Sequence, residues 1–311
     1  MGQVRSVLRW GVATAALLLA ACGDATPPAM PAIPFALDDT SLKDPDNPTK
    51  VFHADFARVE FEFPLSRADR MKLTPENVAR MSQEEVDQIY GRLTAGPIPD
   101  GPYKGDLFFA AGDSLRSRLD EILGGIAGRI AADKLDVLEV IGRGLWKGKM
   151  FYRDKRELRN LISNSPAMLP FVGDPTTIME TKIPREGWLG YVLPSNKVWL
   201  LFPAKLYCGQ SLLDGRRESI IVDYNYGDEI EGYRPSPDSL AGRGGLRIRD
   251  EVRMVRPGFY LGRAYTNRMF LLNFTVYNAD VAEKDAADFA AGKPIAESCW
   301  PGEAPLRAVA Q

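Results

Sequence analysis

Histidine is nearly absent from this sequence: His53 is the only one among 311 residues. A Ser-His-Asp triad, a Cys-His dyad or a metal site with several histidines would have to be built around this one side chain. The scarcity therefore argues against most familiar hydrolase chemistry. No metal site and no cofactor is predicted.

An excess of charge of either sign is also missing. The chain has 39 Lys and Arg residues against 41 Asp and Glu, with 45% hydrophobic and 26% charged residues. This balance is typical of a globular protein and excludes a disordered or collagen-like chain. Because binding to a phosphate backbone needs a basic surface, nucleic acid is not an expected partner.

No hydrophobic run is long enough to span a bilayer. The longest, Val12 to Ala21, is shorter than the roughly 20 residues that a transmembrane helix requires, which argues against the alternative of a membrane-spanning anchor. Arg5 and Arg9 precede this run and Cys22 follows it. The order of basic residues, short apolar run and small residues is typical of a cleaved signal peptide over residues 1–21.

The segment Leu19-Ala20-Ala21-Cys22 resembles the lipobox of bacterial lipoproteins. This resemblance implies cleavage before Cys22 and acylation of its thiol, which would hold the protein on a membrane surface. Gly23, in place of Asp, resembles lipoproteins that are sent to the outer membrane. We therefore expect a protein of the cell envelope, anchored to the outer membrane and facing the periplasm.

The mature chain divides into a tether, a folded domain and a tail. Residues 22–50 contain six prolines with little apolar periodicity and predict an extended tether. Residues 51–303 predict a single folded α+β domain, helical over 74–142 and rich in β-strands over 144–278. Residues 304–311 are a short tail.

Two cysteines remain once Cys22 is acylated, namely Cys208 and Cys299. An even number of cysteines in an oxidising compartment predicts a disulfide between them. The alternative is a pair of unrelated buried thiols.

The first half of the domain predicts mainly short helices. Residues 51–63 alternate as in a strand, whereas Thr74 before Pro75, and Ser82, are typical helix N-caps. Residues 96–105 predict a turn that leads into a strand at 106–109. An amphipathic helix over 114–131 is interrupted by glycines, and both packing in the core and contact with lipid remain open for it.

From residue 144 onward the hydrophobic period changes from 3.6 to 2, which indicates half-buried antiparallel strands. The predicted strands share short spacings with Gly and Pro between them, and they cover residues 188–193, 198–207, 219–226, 246–254, 259–265 and 270–276. A short helix is predicted after residue 280. We therefore predict an α+β fold whose C-terminal half is an antiparallel, lipocalin-like β-barrel or strongly curved sheet, with helices from the N-terminal half packed on it.

Asp250 is the most informative polar residue. It shares the apolar face of its predicted strand with Leu246, Ile248, Val252 and Met254. A buried carboxylate needs a cation or several donors, so we expect either a bulge in the strand or an arginine from another strand, such as Arg217 or Arg263, to supply them. Two interpretations stay open, a structural ion pair and a polar anchor in a ligand cavity.

A family resemblance appears at these residues. Ile248 to Arg253, followed by Tyr260-Leu261-Gly262, resembles the C-terminal pattern of bacterial and fungal proteins with a GXWXG motif. The segment from Trp146 to Phe151 is similar to their aromatic-x-Gly-Lys-x-Phe segment, and Gly101 to Gly105 stands where the GXWXG motif would be. The resemblance covers about residues 96–265 and implies a lipocalin-like barrel without implying a reaction.

Three functions remain as hypotheses. The first is a protein that binds or carries an apolar small molecule or lipid in a barrel cavity. The second is an isomerase, cyclase or hydrolase that uses Asp250 as acid or base on an apolar substrate. The third is a structural envelope protein with a filled barrel. The candidate site residues are Asp250, Tyr224, Arg217, Arg263, Trp146 and Lys149.

Overall fold

The computed structural model describes residues 29–36, 55–109, 144–184 and 195–299. The chain divides into the units Met1–Pro31 and Ala32–Gln311, and the described helices and strands all belong to the second. The predicted signal peptide, Cys22, most of the predicted tether, the predicted helix over 114–131, the predicted strand at 188–193 and the tail lie outside the described residues. Within the described ranges, no helix combines the length and apolar character needed to cross a bilayer.

Nine antiparallel strands form the centre of the fold. Their bounds are β1 Gly101–Phe108, β2 Trp146–Tyr152, β3 Glu157–Ser163, β4 Glu180–Pro184, β5 Ser195–Gln210, β6 Glu218–Asp223, β7 Ile248–Arg256, β8 Phe259–Thr266 and β9 Met269–Tyr277. They follow the spatial order β3-β2-β1-β9-β8-β7-β6-β5-β4.

The long strand β5 closes this sheet into a barrel. Its C-terminal part pairs with β6, and residues 198–205 pair with β3 at the other end of the sheet order. Eight strands therefore form a closed antiparallel barrel, while β4 adds a ninth strand along the beginning of β5. The predicted α+β class with a lipocalin-like barrel is confirmed.

Seven short α-helices accompany the barrel in the described residues. They are α1 Phe56–Glu62, α2 Arg67–Lys72, α3 Pro75–Val78, α4 Gln83–Gly91, α5 Leu169–Val172, α6 Pro235–Asp238 and α7 Ala279–Ala290. Thr74 and Ser82 begin α3 and α4 with capping boxes, as predicted, because each accepts a bond from a backbone N–H three residues later. The predicted helix after residue 280 is α7.

The strand predicted at residues 51–63 is wrong over the part that the structure describes. The side chain of Asp55 accepts hydrogen bonds from the backbone N–H groups of Ala57 and Arg58, and this cap begins α1. Phe56 and Val59, three residues apart, are buried on one face of the helix, whereas Phe61 is exposed. The spacing of the buried apolar residues thus also fits a helix.

Two predicted strand boundaries also differ. β1 begins at Gly101, inside the predicted turn, rather than after it. β6 ends at Asp223, because its carboxylate accepts a bond from the backbone N–H of Asn225 and starts a 3-10 turn at Tyr224. Tyr224 and Tyr226 therefore do not continue the strand.

The barrel wall separates the two larger apolar cores of the described residues. One lies in the barrel interior, and the other lies between the outer face of β7 to β9 and the helices α2 to α4. Every residue of β8 is buried, because one face of this strand meets the interior and the other meets the helices. The helices thus cover one side of the barrel.

The two ends of the barrel carry different connections. At one end, the strands are joined by short links after β2, β5 and β7. At the other end, long connections follow β1, β3 and β6, and a tight turn joins β8 to β9. We call the second end the long-loop end.

Candidate functional site

A polar cluster lies inside the barrel, where an apolar core would be expected. β2, β3 and β7 contribute Lys149, Asn160 and Asp250, and the residues on either side of each in the pleat face outward. Lys149 is 2% exposed, Asp250 4% and Asn160 5%. The inward orientation predicted for Asp250 is thus found in the structure.

Lys149 is the centre of this cluster. Its ammonium nitrogen lies 2.9 Å from Asp250 Oδ2, 2.7 Å from the Tyr224 hydroxyl and 3.2 Å from Asn160 Oδ1. An ammonium group has three N–H donors, so all three have acceptors within the protein. Lys149 and Asp250 form a buried ion pair, which we call the inner pair.

Tyr224 and Asn160 tie the inner pair to the barrel wall. The Tyr224 hydroxyl accepts from Lys149 and from Asn160 Nδ2, and lies 3.3 Å from Asp250 Oδ2 as a donor. Asn160 Oδ1 also accepts from the indole N–H of Trp146 at 2.8 Å. With these bonds, every polar atom of the cluster has a hydrogen-bond partner among the described residues except one oxygen.

That oxygen is Oδ1 of Asp250. Both hydrogen bonds to this carboxylate reach Oδ2, and no residue in the described part of the chain donates to Oδ1. Oδ1 is not among the fully enclosed polar atoms without a partner, so a small part of its surface stays open. A carboxylate oxygen accepts hydrogen bonds only, which makes Oδ1 an unused acceptor inside the barrel.

Aromatic rings surround the ammonium group. Lys149 Nζ lies 5.1 Å from the centre of the Phe274 ring, 5.3 Å from Tyr224 and 5.6 Å from Trp146. Such cation–π contacts favour the charged form of a lysine in a site that excludes water. The rings also give the site an apolar wall.

The electrostatics of the cluster keep its lysine charged. Burial by itself would lower the pKa of Lys149, but the neighbouring Asp250 carboxylate and Tyr224 reverse this effect, so the pKa is raised. Burial, together with the negative charge of Asp250, raises the pKa of Tyr224 to about 12. At neutral pH the cluster therefore contains an ammonium group and a neutral phenol.

Two glycines let Trp146 lie against the barrel wall. Gly105 is covered by the Trp146 ring, and a Cβ atom at this position would collide with the indole. Gly148 has a φ angle of +133°, and a Cβ atom there would collide with the carbonyl oxygen of Tyr103. Tyr103 itself packs edge-on against Phe151 and Tyr260.

Of the eight partly buried apolar side chains that border the interior core in the described residues, six belong to the long-loop end. They are Leu107, Leu145, Trp146, Leu240, Ile248 and Leu272. They come from the end of β1, the start of β2, the connection before β7 and the starts of β7 and β9. We call this set the apolar mouth.

The predicted partners of Asp250 are wrong. Arg263 faces outward from β8 and forms an ion pair with Asp87 of α4, and Arg217 pairs with Glu60 of α1. Neither arginine contacts the cluster. On β8, Tyr260 and Ala264 face the interior, so Arg263 between them in the pleat points to the outer face. Of the predicted candidates, the structure brings together Asp250, Tyr224, Trp146 and Lys149.

Sequence reasoning missed Asn160. It also missed that Lys149 neutralises Asp250, although Lys149 was a candidate through the family resemblance. A signal was available, since Lys149 lies two residues before Phe151 and three after Trp146, in a strand whose interior face is otherwise aromatic. A lysine on such a face needs a buried anion.

The predicted disulfide is supported. The sulfur atoms of Cys208 and Cys299 lie at bonding distance, and their Cα atoms are 6.0 Å apart. Cys208 lies near the end of β5, at the barrel end opposite the apolar mouth. The bond thus attaches the segment after α7 to the barrel without touching the site.

Fold and site together define an eight-stranded antiparallel barrel with a charged pair inside it. No family model and no curated protein matches the chain. A crystal structure of a protein from Thermomonospora curvata is similar over 64% of this chain and 88% of that one, with a TM-score of 0.34 and 16% sequence identity. The resemblance to GXWXG proteins stays a prediction.

Proposed function

We propose that this protein is a lipid-anchored protein of the bacterial cell envelope that binds an apolar small molecule in its barrel. The observation that carries this proposal is the inner pair beneath the apolar mouth. An apolar interior with a few fixed polar groups is typical of small-molecule sites. Eight-stranded barrels are also of the size that holds a single small ligand.

The inner pair favours binding over a purely structural barrel. Burying an ion pair is often no more stabilising than apolar residues of the same volume, so stability alone does not explain Lys149 and Asp250. A carboxylate with an unused oxygen is a further departure from a satisfied core. Both features are expected where a ligand completes the site.

The binding of an apolar fluorophore tests this function. We expect N-phenylnaphthylamine to gain fluorescence on adding the full chain, after subtraction of a detergent-only blank. Ala264 lies opposite Asp250 on the neighbouring strand β8 and faces the interior. Ala264→Phe should therefore fill the site and abolish the gain.

Ala287→Phe is the matched control, because Ala287 is exposed on α7 and the same volume is added there. It should bind the fluorophore as the wild type does. A wild-type protein that gives no gain, or an Ala264→Phe variant that folds and binds normally, would contradict binding inside the barrel.

The anchor has its own test. Cys22→Ser should prevent acylation and leave an unprocessed precursor that no longer partitions into the detergent phase, because lipid chains supply the membrane affinity. Phase separation of the wild type and the variant measures this. Equal partitioning would remove the lipoprotein part of the proposal and leave the binding part intact.

An enzyme remains the second candidate, and one observation favours it. The open oxygen of Asp250 is placed to accept a proton from a bound molecule, as a general base would. A bound apolar compound that is recovered chemically changed from the wild type, and unchanged from Asp250→Asn, would favour this candidate over a carrier.

A further inference from the structure

We propose that the ligand of this barrel is a neutral apolar alcohol or phenol, whose hydroxyl group donates a hydrogen bond to Oδ1 of Asp250. The inference rests on the proposed binding function and adds the chemical class of the ligand. It follows from which hydrogen-bonding positions of the cluster are already used and which one is open.

The donors of the cluster are all used within the protein. Lys149 donates its three N–H groups to Asn160, Tyr224 and Asp250. The indole N–H of Trp146 goes to Asn160, and the Tyr224 hydroxyl faces Asp250 Oδ2. A ligand carbonyl or carboxylate, which can only accept, would therefore find no donor without breaking one of these bonds.

The open position is an acceptor. Oδ1 of Asp250 receives no hydrogen bond from the described residues, and it belongs to a carboxylate that is 96% buried. Hydrogen bonds to charged groups are stronger than those between neutral groups. A ligand that offers an O–H group here gains such a bond and gives Oδ1 the partner that it lacks.

The charge of the site selects a neutral donor. Lys149 and Asp250 cancel each other, so the cluster has no net charge to offer an ionic ligand. A ligand carboxylate would lie against a like-charged oxygen, and a ligand ammonium would have to lose its hydration without a free counterion. A hydroxyl group avoids both penalties, and the apolar mouth favours an apolar remainder.

Three ligands of matched chain length test the inference: decanol, decyl methyl ether and decanoic acid. Each displaces N-phenylnaphthylamine from the wild-type full chain, with free concentrations corrected by detergent-only blanks. We expect decanol to bind at least about ten-fold more tightly than the ether, because only the alcohol donates to the carboxylate. Decanoate should bind more weakly than decanol at pH 7.

The outcomes separate the two proposals. If the ether or decanoate binds as tightly as decanol, the ligand class is wrong although binding in the barrel stands. If the fluorophore binds and none of the three displaces it, the ligand class is also wrong. If neither the fluorophore nor any of the three binds, the proposed function fails as well.

A variant sharpens the test. In Asp250→Asn the amide oxygen is expected to face Lys149, which leaves the amide NH2 at the open position. The acceptor becomes a donor beside an uncompensated ammonium group, so the order should reverse and decanoate should bind more tightly than decanol. An Asp250→Asn protein that keeps the wild-type order would overturn the proposal.

Glu251→Gln is the matched control, since it removes a buried negative charge one residue further along β7, where Glu251 pairs with Arg249 rather than with the cluster. It should keep the wild-type preference for decanol. Circular dichroism reports whether both variants fold, and if Asp250→Asn does not, the order of the three ligands on the wild type decides the question by itself.

Discussion

Strand β7 carries three buried charged residues, Asp250 on its inner face and Glu251 and Arg253 on its outer face, and the surroundings of Asp250 and Arg253 differ. Asp250 points into the barrel and pairs with Lys149, whereas Arg253 points outward toward α4. Arg253 is fully buried and forms an ion pair with Asp214 at 3.2 Å. We call Arg253 and the groups that it contacts the outer clamp.

The outer clamp leaves nothing unused. The guanidinium of Arg253 donates to the Ser219 hydroxyl, to Asp214 Oδ2 and to four backbone carbonyl groups, at distances from 2.8 to 3.2 Å. Its five N–H groups therefore all have acceptors. Those carbonyls belong to α4, to the connection that leads into β6 and to the first residue of β6, so the clamp attaches α4 and this connection to the barrel.

The comparison shows that burial of a charge does not by itself mark a functional site. Both ion pairs are buried, but only the inner pair leaves a carboxylate oxygen without a partner among the described residues. Unused hydrogen-bonding capacity therefore separates the two. The following predictions test this separation, in order of expected effect.

Arg253→Met should destabilise the protein most. The variant removes the arginine partner of the Asp214 carboxylate and leaves the four carbonyl groups without this donor. Together these losses should lower the unfolding free energy by about 5 kcal/mol or more. Urea denaturation monitored by circular dichroism measures this loss. A variant within about 1 kcal/mol of the wild type would show that Arg253 is not a clamp.

Lys149→Met should cost about 3–5 kcal/mol, because it leaves Asp250 buried without its cation. The double variant Lys149→Met, Asp250→Leu should recover much of this loss, since an apolar pair of similar volume suits the aromatic surroundings. The same denaturation series measures both. If the double variant is less stable than Lys149→Met, the inner pair is itself structural.

The disulfide should affect stability but not the site. Cys208→Ala is expected to lower the unfolding free energy by about 2–4 kcal/mol, because the bond closes a loop of 91 residues in the unfolded chain. Fluorophore binding should be unchanged, as the bond lies at the opposite end of the barrel. Wild-type protein that is equally stable with and without reductant would argue against the bond.

Asp238 gives a smaller, pH-dependent effect. Burial raises its pKa to about 6, although bonds from the N–H groups of Phe202 and Arg234, and the charges of Arg159 and Arg234, act against this rise. The folded state then binds a proton more tightly than the unfolded chain, whose aspartate has a pKa near 3.8. The unfolding free energy should therefore fall by about 2–3 kcal/mol as the pH rises from about 4 to about 6.

Denaturation at several pH values checks this slope. Asp214 acts in the opposite direction, because Arg216 and Arg253 lower its pKa despite its burial. Its effect on the unfolding free energy is therefore confined to pH values below 4. Asp238→Asn should flatten the fall between pH 4 and 6. An unchanged slope in this variant would assign the effect to another group.

The barrel and the orientation of Asp250 were predictable from the sequence, because a period of two determines which face a strand residue occupies. The partner of Asp250 was not. Lys149 precedes it by 101 residues and reaches it only across the closed barrel, since β2 and β7 do not pair with each other. Strand order fixes such contacts, and periodicity contains no information about strand order.

The errors at the ends of strands have a local cause. At Asp55 and Asp223, a short acidic side chain binds backbone N–H groups two or three residues later and starts a helical turn. In both places the apolar spacing also fits a strand. At these two places, the aspartates therefore predict the secondary structure better than the hydrophobic pattern does.

Native mass spectrometry tests the central claim most directly, namely that the inner pair serves a ligand. The wild type, the double variant Lys149→Met, Asp250→Leu and the control Glu251→Gln are each exposed to the same free concentration of decanol. We expect a single bound decanol on the wild type and on the control, and at least about ten-fold lower affinity in the double variant. Equal occupancy of all three proteins would contradict the account.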